Sequence, residues 1–93
     1  MYAIIYDGMS ANLDIGNILF LAERYRAHRN LALSTVSLYA TGRGAFLSKL
    51  ARGDASMTLH RRDRIFAWFG ANWPSDLEWP RHIPRPPKTK EAA

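Results

Sequence analysis

Arg43, Lys49 and Arg52 fall within one short segment, residues 35–53, interleaved with small residues: Thr-Val-Ser-Leu-Tyr-Ala-Thr-Gly-Arg-Gly-Ala-Phe-Leu-Ser-Lys-Leu-Ala-Arg-Gly. Cations at that spacing can neutralise phosphates, and a guanidinium can also bond a flat pair of acceptors such as a guanine edge. Arg61, Arg62 and Arg64 follow, diluted by Asp63. No other chemistry has comparable support. His28, His60 and His82 are far apart and lack metal-ligand spacing, the chain has no cysteine, and nothing pairs a nucleophile with a base. Gly42-x-Gly44 opens like a nucleotide loop, but Leu47 stands where the third glycine belongs and no convincing strand precedes it. The expectation is a non-enzymatic protein with no metal and no cofactor.

The positive charge is concentrated around those residues. The 93-residue chain carries 13 basic and 8 acidic side chains, a net +5. Residues 34–74 hold six basic groups against two acidic, whereas residues 1–33 balance and residues 75–93 carry one net positive charge. A basic balance of this kind favours an acidic partner, nucleic acid before an anionic membrane. Hydrophobic residues make up 47% and charged residues 23%, ordinary values for one small globular domain. No apolar run approaches the roughly 18–20 residues that span a bilayer, and the N-terminus lacks the pattern of a secretory leader, so a cytoplasmic protein without a membrane partner is expected.

The elements that must position the cations read as helices. Met1–Asp7 is aromatic and β-branched enough for a short strand that could pair with its copy in a second subunit; Met9 is an alternative start. Residues 1–12 are thus assigned to an N-terminal arm. Asn12 or Asp14 can cap a helix reaching about His28, with Ile15, Ile18, Leu19, Leu21, Ala22 and Tyr25 forming its apolar stripe. Ser34 or Thr35 can start a second helix ending near Thr41, with Gly42-Arg43-Gly44 as a turn. A third helix is expected from Gly44 or Ala45 to Arg52, with Leu47 and Leu50 inward and Gly53 just past its end. Thr58 caps a fourth, from Leu59 to about Asn72, which Pro74 stops. The helical domain is placed at residues 13–74. Residues 75–93 read as an extended proline-rich tail, anchored at its start by Leu77 and Trp79.

Short helix, tight turn, short helix with a cationic outer side is the form a duplex reader needs, because the major groove is about 12 Å wide and admits one helix. Here the segment resembles the helix-turn-helix of the lambda-repressor and Cro-like family, also called the xenobiotic-response-element type. The resemblance runs over roughly residues 15–72 and is carried by Val36-Ser37, Ala40-Thr41-Gly42-Arg43 and Phe46-Leu47-Ser48-Lys49-Leu50-Ala51-Arg52-Gly53. The sequence departs from the family where Thr41 replaces the usual turn glycine, where the apolar residue after the turn is missing, and where Ala51 replaces a glutamate.

The resemblance implies an all-α domain of four to five helices. It implies that Arg43, Gly44, Ala45, Ser48 and Lys49 face the groove and that Arg52 touches the backbone near the end of that helix. Thr35 and Ser37 would hold a phosphate at the start of the preceding helix, with Arg61, Arg62 and Arg64 as peripheral phosphate contacts. The expected function is sequence-specific double-stranded DNA binding by a homodimeric transcriptional regulator, a repressor or activator of a phage, plasmid or integrative element. Its dimer surface is expected at the aromatic end of the fourth helix with the Trp79 segment, or at the first strand. The alternative is a protein-interaction module, an antitoxin or anti-activator that grips a regulatory protein partner with the same helices or the aromatic tail.

Overall fold

Apolar side chains that recur on one side of each helical segment can leave water only by facing one another, and the four segments do so around one core. The computed structural model describes residues 8–86, with side chains from residue 11 onward. The described residues form four helices and no strand: α1 Gly8–Arg29, α2 Leu33–Thr41, α3 Phe46–Arg52 and α4 Leu59–Asn72. α2 packs against the other three, and the backbone of α3 approaches α1 and α2 but not α4. The core comprises Ile18, Leu21, Ala22 and Tyr25 of α1, Val36 of α2, Phe46, Leu47 and Leu50 of α3, and Ile65 and Phe69 of α4, closed by Met57, Trp73 and Ile83.

Local chemistry sets the helix ends. Asn30 takes the left-handed conformation at φ 57°, and the Leu31 N–H reaches back to the Arg26 carbonyl at 2.8 Å, closing α1. Gly42 and Gly53 are left-handed at φ 81° and 80°, a conformation glycine adopts without the Cβ penalty. The Thr58 hydroxyl accepts the Arg61 N–H at 3.1 Å and so caps α4, as its sequence predicts.

Several expectations are corrected. α1 begins at Gly8, so Asn12 and Asp14 lie inside it and residues 8–12 are no separate arm. Asp14 does not cap, because the helix begins six residues before it, and its carboxylate pairs with Arg62 of α4 at 3.2 Å. α2 starts at Leu33 after Ala32, with no side-chain cap from Ser34 or Thr35. α3 starts at Phe46 rather than at Gly44 or Ala45. The strand expected over Met1–Asp7 lies outside the described residues.

The tail departs most from its sequence reading. Residues 75–86 are not simply extended: the Leu77 N–H turns back to the Pro74 carbonyl and the Ile83 N–H to the Pro80 carbonyl, at 3.2 and 3.3 Å. These turns carry Ile83 into the core, where it is 2% exposed. Trp79 donates its indole N–H to the Ile83 carbonyl at 2.6 Å, and Arg85 donates to the Gly70 carbonyl at 2.9 Å. A Cβ on Gly70 would stand 3.2 Å from Pro86, so the missing side chain lets the segment lie against α4. The segment also runs back along α1: His28 meets Asp76 at 3.1 Å and Phe20 meets the edge of His82 at 4.9 Å. The hydrogen bond from His28 holds the Asp76 carboxyl below its ordinary 3.8.

A buried Ile83 makes the tail part of the cooperative unit. Ile83→Ala should lower the unfolding free energy by about 2–5 kcal/mol in urea denaturation. A loss below about 0.5 kcal/mol, the size of a surface change, would mean that the tail does not fold with the helices.

Candidate nucleic-acid interface

The geometry of the cationic segment starts from a buried hydroxyl. Ser37, in the middle of α2, is 0% exposed. Its Oγ donates to the Arg43 carbonyl at 2.6 Å and accepts the Leu47 N–H at 3.0 Å. One side chain therefore ties α2 to the turn and to the first turn of α3. Thr41 adds a second tie: its hydroxyl donates to the Ser37 carbonyl at 2.7 Å and accepts the Arg43 N–H at 3.1 Å. Both polar groups of the Arg43 backbone are thus held at the apex of the turn while its side chain is exposed.

This arrangement corrects one predicted contact. Ser37 cannot touch a ligand, because its hydroxyl is enclosed and committed to the turn. Thr41 contributes a hydroxyl to the corner, and the left-handed residue of the turn is Gly42. Thr35 is half-buried in the first turn of α2, its N–H bonded to the Ala32 carbonyl at 3.1 Å, which leaves only its hydroxyl as a contact.

On α3, Phe46, Leu47 and Leu50 are buried while Lys49 and Arg52 are exposed. Ala45 is exposed just before the helix; Gly44 and Ser48 are half-buried. Arg61 reaches across from α4, its guanidinium 4.9 Å from the centre of the Phe46 ring. Arg43, Lys49 and Arg61 line one shallow depression with Ala45, Phe46, Ser56 and the carboxylate-bearing Asp54. Arg52 pairs with Asp54 at 3.1 Å, both side chains well exposed. An exposed pair of this kind contributes about 0–1 kcal/mol, so a phosphate can take over the guanidinium at little cost.

Arg62 belongs elsewhere. It lies between Asp63 and Asp14, at 2.7 and 3.2 Å, and the bonds to Asp63 and then Asp14 raise its already high pKa against the opposing cost of burial. Its guanidinium binds α4 to α1 and is not grouped with Arg43 and Lys49, which overturns its reading as a phosphate contact. In its place the fold brings His60 and Arg64 beside Arg61, around a second depression with Thr41 and Thr58. The signal for His60 was the capping Thr58: once α4 starts there, positions 60, 61 and 64 fall on one side of the helix.

The acidic side chains leave this face cationic. Asp14, Glu23, Asp54, Asp63, Asp76 and Glu78 each have a basic partner. Arg24 and Arg29 lie over aromatic rings, and Arg85 bonds a carbonyl. Arg43, Lys49, Arg61 and Arg64 have no carboxylate within 4.0 Å among the described residues. No family model, no curated protein and no solved structure matches the chain. Among the described residues no cluster of His, Asp and Glu could hold a metal ion, and no helix is long and apolar enough to cross a membrane.

Because the Ser37 hydroxyl serves two buried backbone groups, Ser37→Ala should cost about 1–3 kcal/mol of stability, read from the urea midpoint at unchanged slope. An unchanged midpoint would show that the turn is held by other contacts.

Proposed function

We propose that this protein binds double-stranded DNA sequence-specifically as a transcriptional regulator, with α3 in the major groove. The observation that carries the reading is that Arg43, Lys49 and Arg61, cations without a carboxylate partner, line one depression with the start of α3, while Arg64 joins Arg61 in a second one beside α2. The likeness of residues 35–53 to the lambda-repressor and Cro-like helix-turn-helix adds to it. In this reading Arg43, fixed at the turn, reads a base edge, and Gly44, Ala45 and Ser48 admit the groove wall. Lys49, Arg61 and Arg64 take phosphates, Arg52 exchanges Asp54 for another, and the Thr35 hydroxyl sits near the same strand. Two copies place equivalent helices about 34 Å apart on a roughly palindromic site, and occupancy of that site blocks or recruits polymerase.

A second reading, a module that grips a protein partner, draws on Leu38 and Tyr39. Each is 52% exposed on the outer side of α2, and Tyr39 lies 6.3 Å from the Trp68 ring. The two readings differ in salt response, since phosphate contacts release counterions and apolar docking does not.

Selection from random duplexes should yield a preferred site. Fluorescence anisotropy on that site should then show log K falling by about 3–4 per log unit of salt for each protomer, near 0.9 per phosphate. Lys49→Ala should reduce that slope by about 1 on every sequence, and Arg43→Ala should cost about 1–3 kcal/mol and relax preference at one base pair. If neither substitution changes DNA affinity, α3 is not the reading element.

A further inference from the structure

The depression between α2 and α4 is lined by basic side chains that the fold itself does not use. Ala40 and Thr41, at the end of α2, form one wall, and Thr58, His60, Arg61 and Arg64 form the other, over a buried Ile65. It encloses about 140 Å³, and no carboxylate lines it. Of the three histidines, His28 holds Asp76 and His82 meets Phe20, while His60 is without a partner among the described residues. Every described arginine side chain except Arg43 and Arg64 has a carboxylate, an aromatic ring or a carbonyl as partner. His60 and Arg64 are both exposed, four residues apart on one side of α4. Thr58 adds a donor: its hydroxyl oxygen accepts the Arg61 N–H, but its own proton goes to no group among the described residues.

The chemistry of that lining selects the ligand. An imidazole, two guanidinium groups and a hydroxyl can all donate, and the cations among them are answered by no anion inside the recess. What fits is a small anion with several acceptor oxygens, since guanidinium bonds such oxygens in pairs. A phosphate monoester carries about −1.5 to −2 charge near pH 7 and three strong acceptor oxygens at one end. A backbone diester carries one charge and two free oxygens, and both of its ester links must leave the recess. Walls from α2 and α4 on two sides suit the single exit of the monoester. The neighbouring depression, which holds Asp54 beside Arg43 and Lys49, lacks this purely cationic lining.

We propose that the depression between α2 and α4 binds a small phosphate monoester, with Arg64 and His60 on its terminal oxygens and Arg61 and the Thr58 hydroxyl completing the site. The ligand is a free small molecule and not the duplex. Its occupancy takes Arg61 and Arg64 away from DNA, and only that consequence rests on the duplex reading.

The test is a chemical-shift titration of the full, labelled chain with methyl phosphate at constant ionic strength, without DNA. Dimethyl phosphate, the fragment of a nucleic-acid backbone, is titrated in parallel. Methyl phosphate should give saturable shifts at Thr41, Thr58, His60, Arg61 and Arg64, and should bind at least about five-fold tighter than dimethyl phosphate. Arg64→Ala should weaken it at least about ten-fold and His60→Ala at least about three-fold. Both side chains are exposed and unpartnered among the described residues, so both variants should keep the parent melting temperature. Arg81→Ala removes an equal charge from an exposed position outside the depression and should change nothing. Absence of saturable shifts overturns the inference. Shifts that persist undiminished in Arg64→Ala identify an adventitious ion only and overturn it as well. Dimethyl phosphate bound as tightly, with the same dependence on Arg64 and His60, makes the depression a backbone contact and overturns the monoester assignment. None of these outcomes bears on Arg43 or Lys49, whose effect on duplex affinity decides the DNA reading.

Discussion

The buried hydroxyl of Ser37 is the constraint on which the cationic face depends. Enclosed polar atoms must find partners, and this one has two on different elements: the Arg43 carbonyl in the turn and the Leu47 N–H in α3. Neither bond can form unless α2 and α3 meet at one angle with the turn at one length. Val36, Leu47 and Leu50 then close the hydrophobic contact beneath. The exposed edge of α3, and the position of Arg43 at its start, follow from that closure.

Charge is segregated by the same packing. Asp14 and Asp63 are spent on Arg62, which bridges α1 and α4 and does not line the depression that holds Lys49. Glu23, Asp76 and Glu78 pair along α1 and the C-terminal segment. The net positive charge read from the sequence therefore becomes local: the cations around α3 and the start of α4 keep their field, and Asp54, held by Arg52, is the only carboxylate lining the depression that Arg43 and Lys49 share. Interleaved surface charge would have given the same composition without a face for a polyanion.

Much of this architecture was legible in the residues. The alternation of apolar and polar positions gave four helices with the correct inner faces, and Thr58, Gly53 and Pro74 marked ends that the structure keeps. Local signals failed where a distant partner decided the outcome. Asp14 is a good cap in isolation, but α1 begins six residues before it and its carboxylate meets Arg62, 48 positions away. Ser37 reads as a phosphate contact in a family pattern, and only its burial reveals a structural role. Met57 and Ile83 sit in irregular chain without periodicity, so nothing local announced them as core. The prolines after Trp73 suggested an extended tail; the turns at Pro74 and Pro80 instead let Trp79 and Ile83 pack.

The proposed function requires the exposed edge of α3, framed by Arg43, Lys49 and Arg61, to meet a duplex. The most direct measurement is amide chemical-shift perturbation of the labelled protein titrated with a duplex carrying its selected site. The account predicts shifts at residues 43–52 and at Arg61, fading as salt is raised, while the buried α1 face keeps its positions. Shifts confined to Leu38, Tyr39 and Trp68, or no salt-dependent shift anywhere in α3, would contradict it.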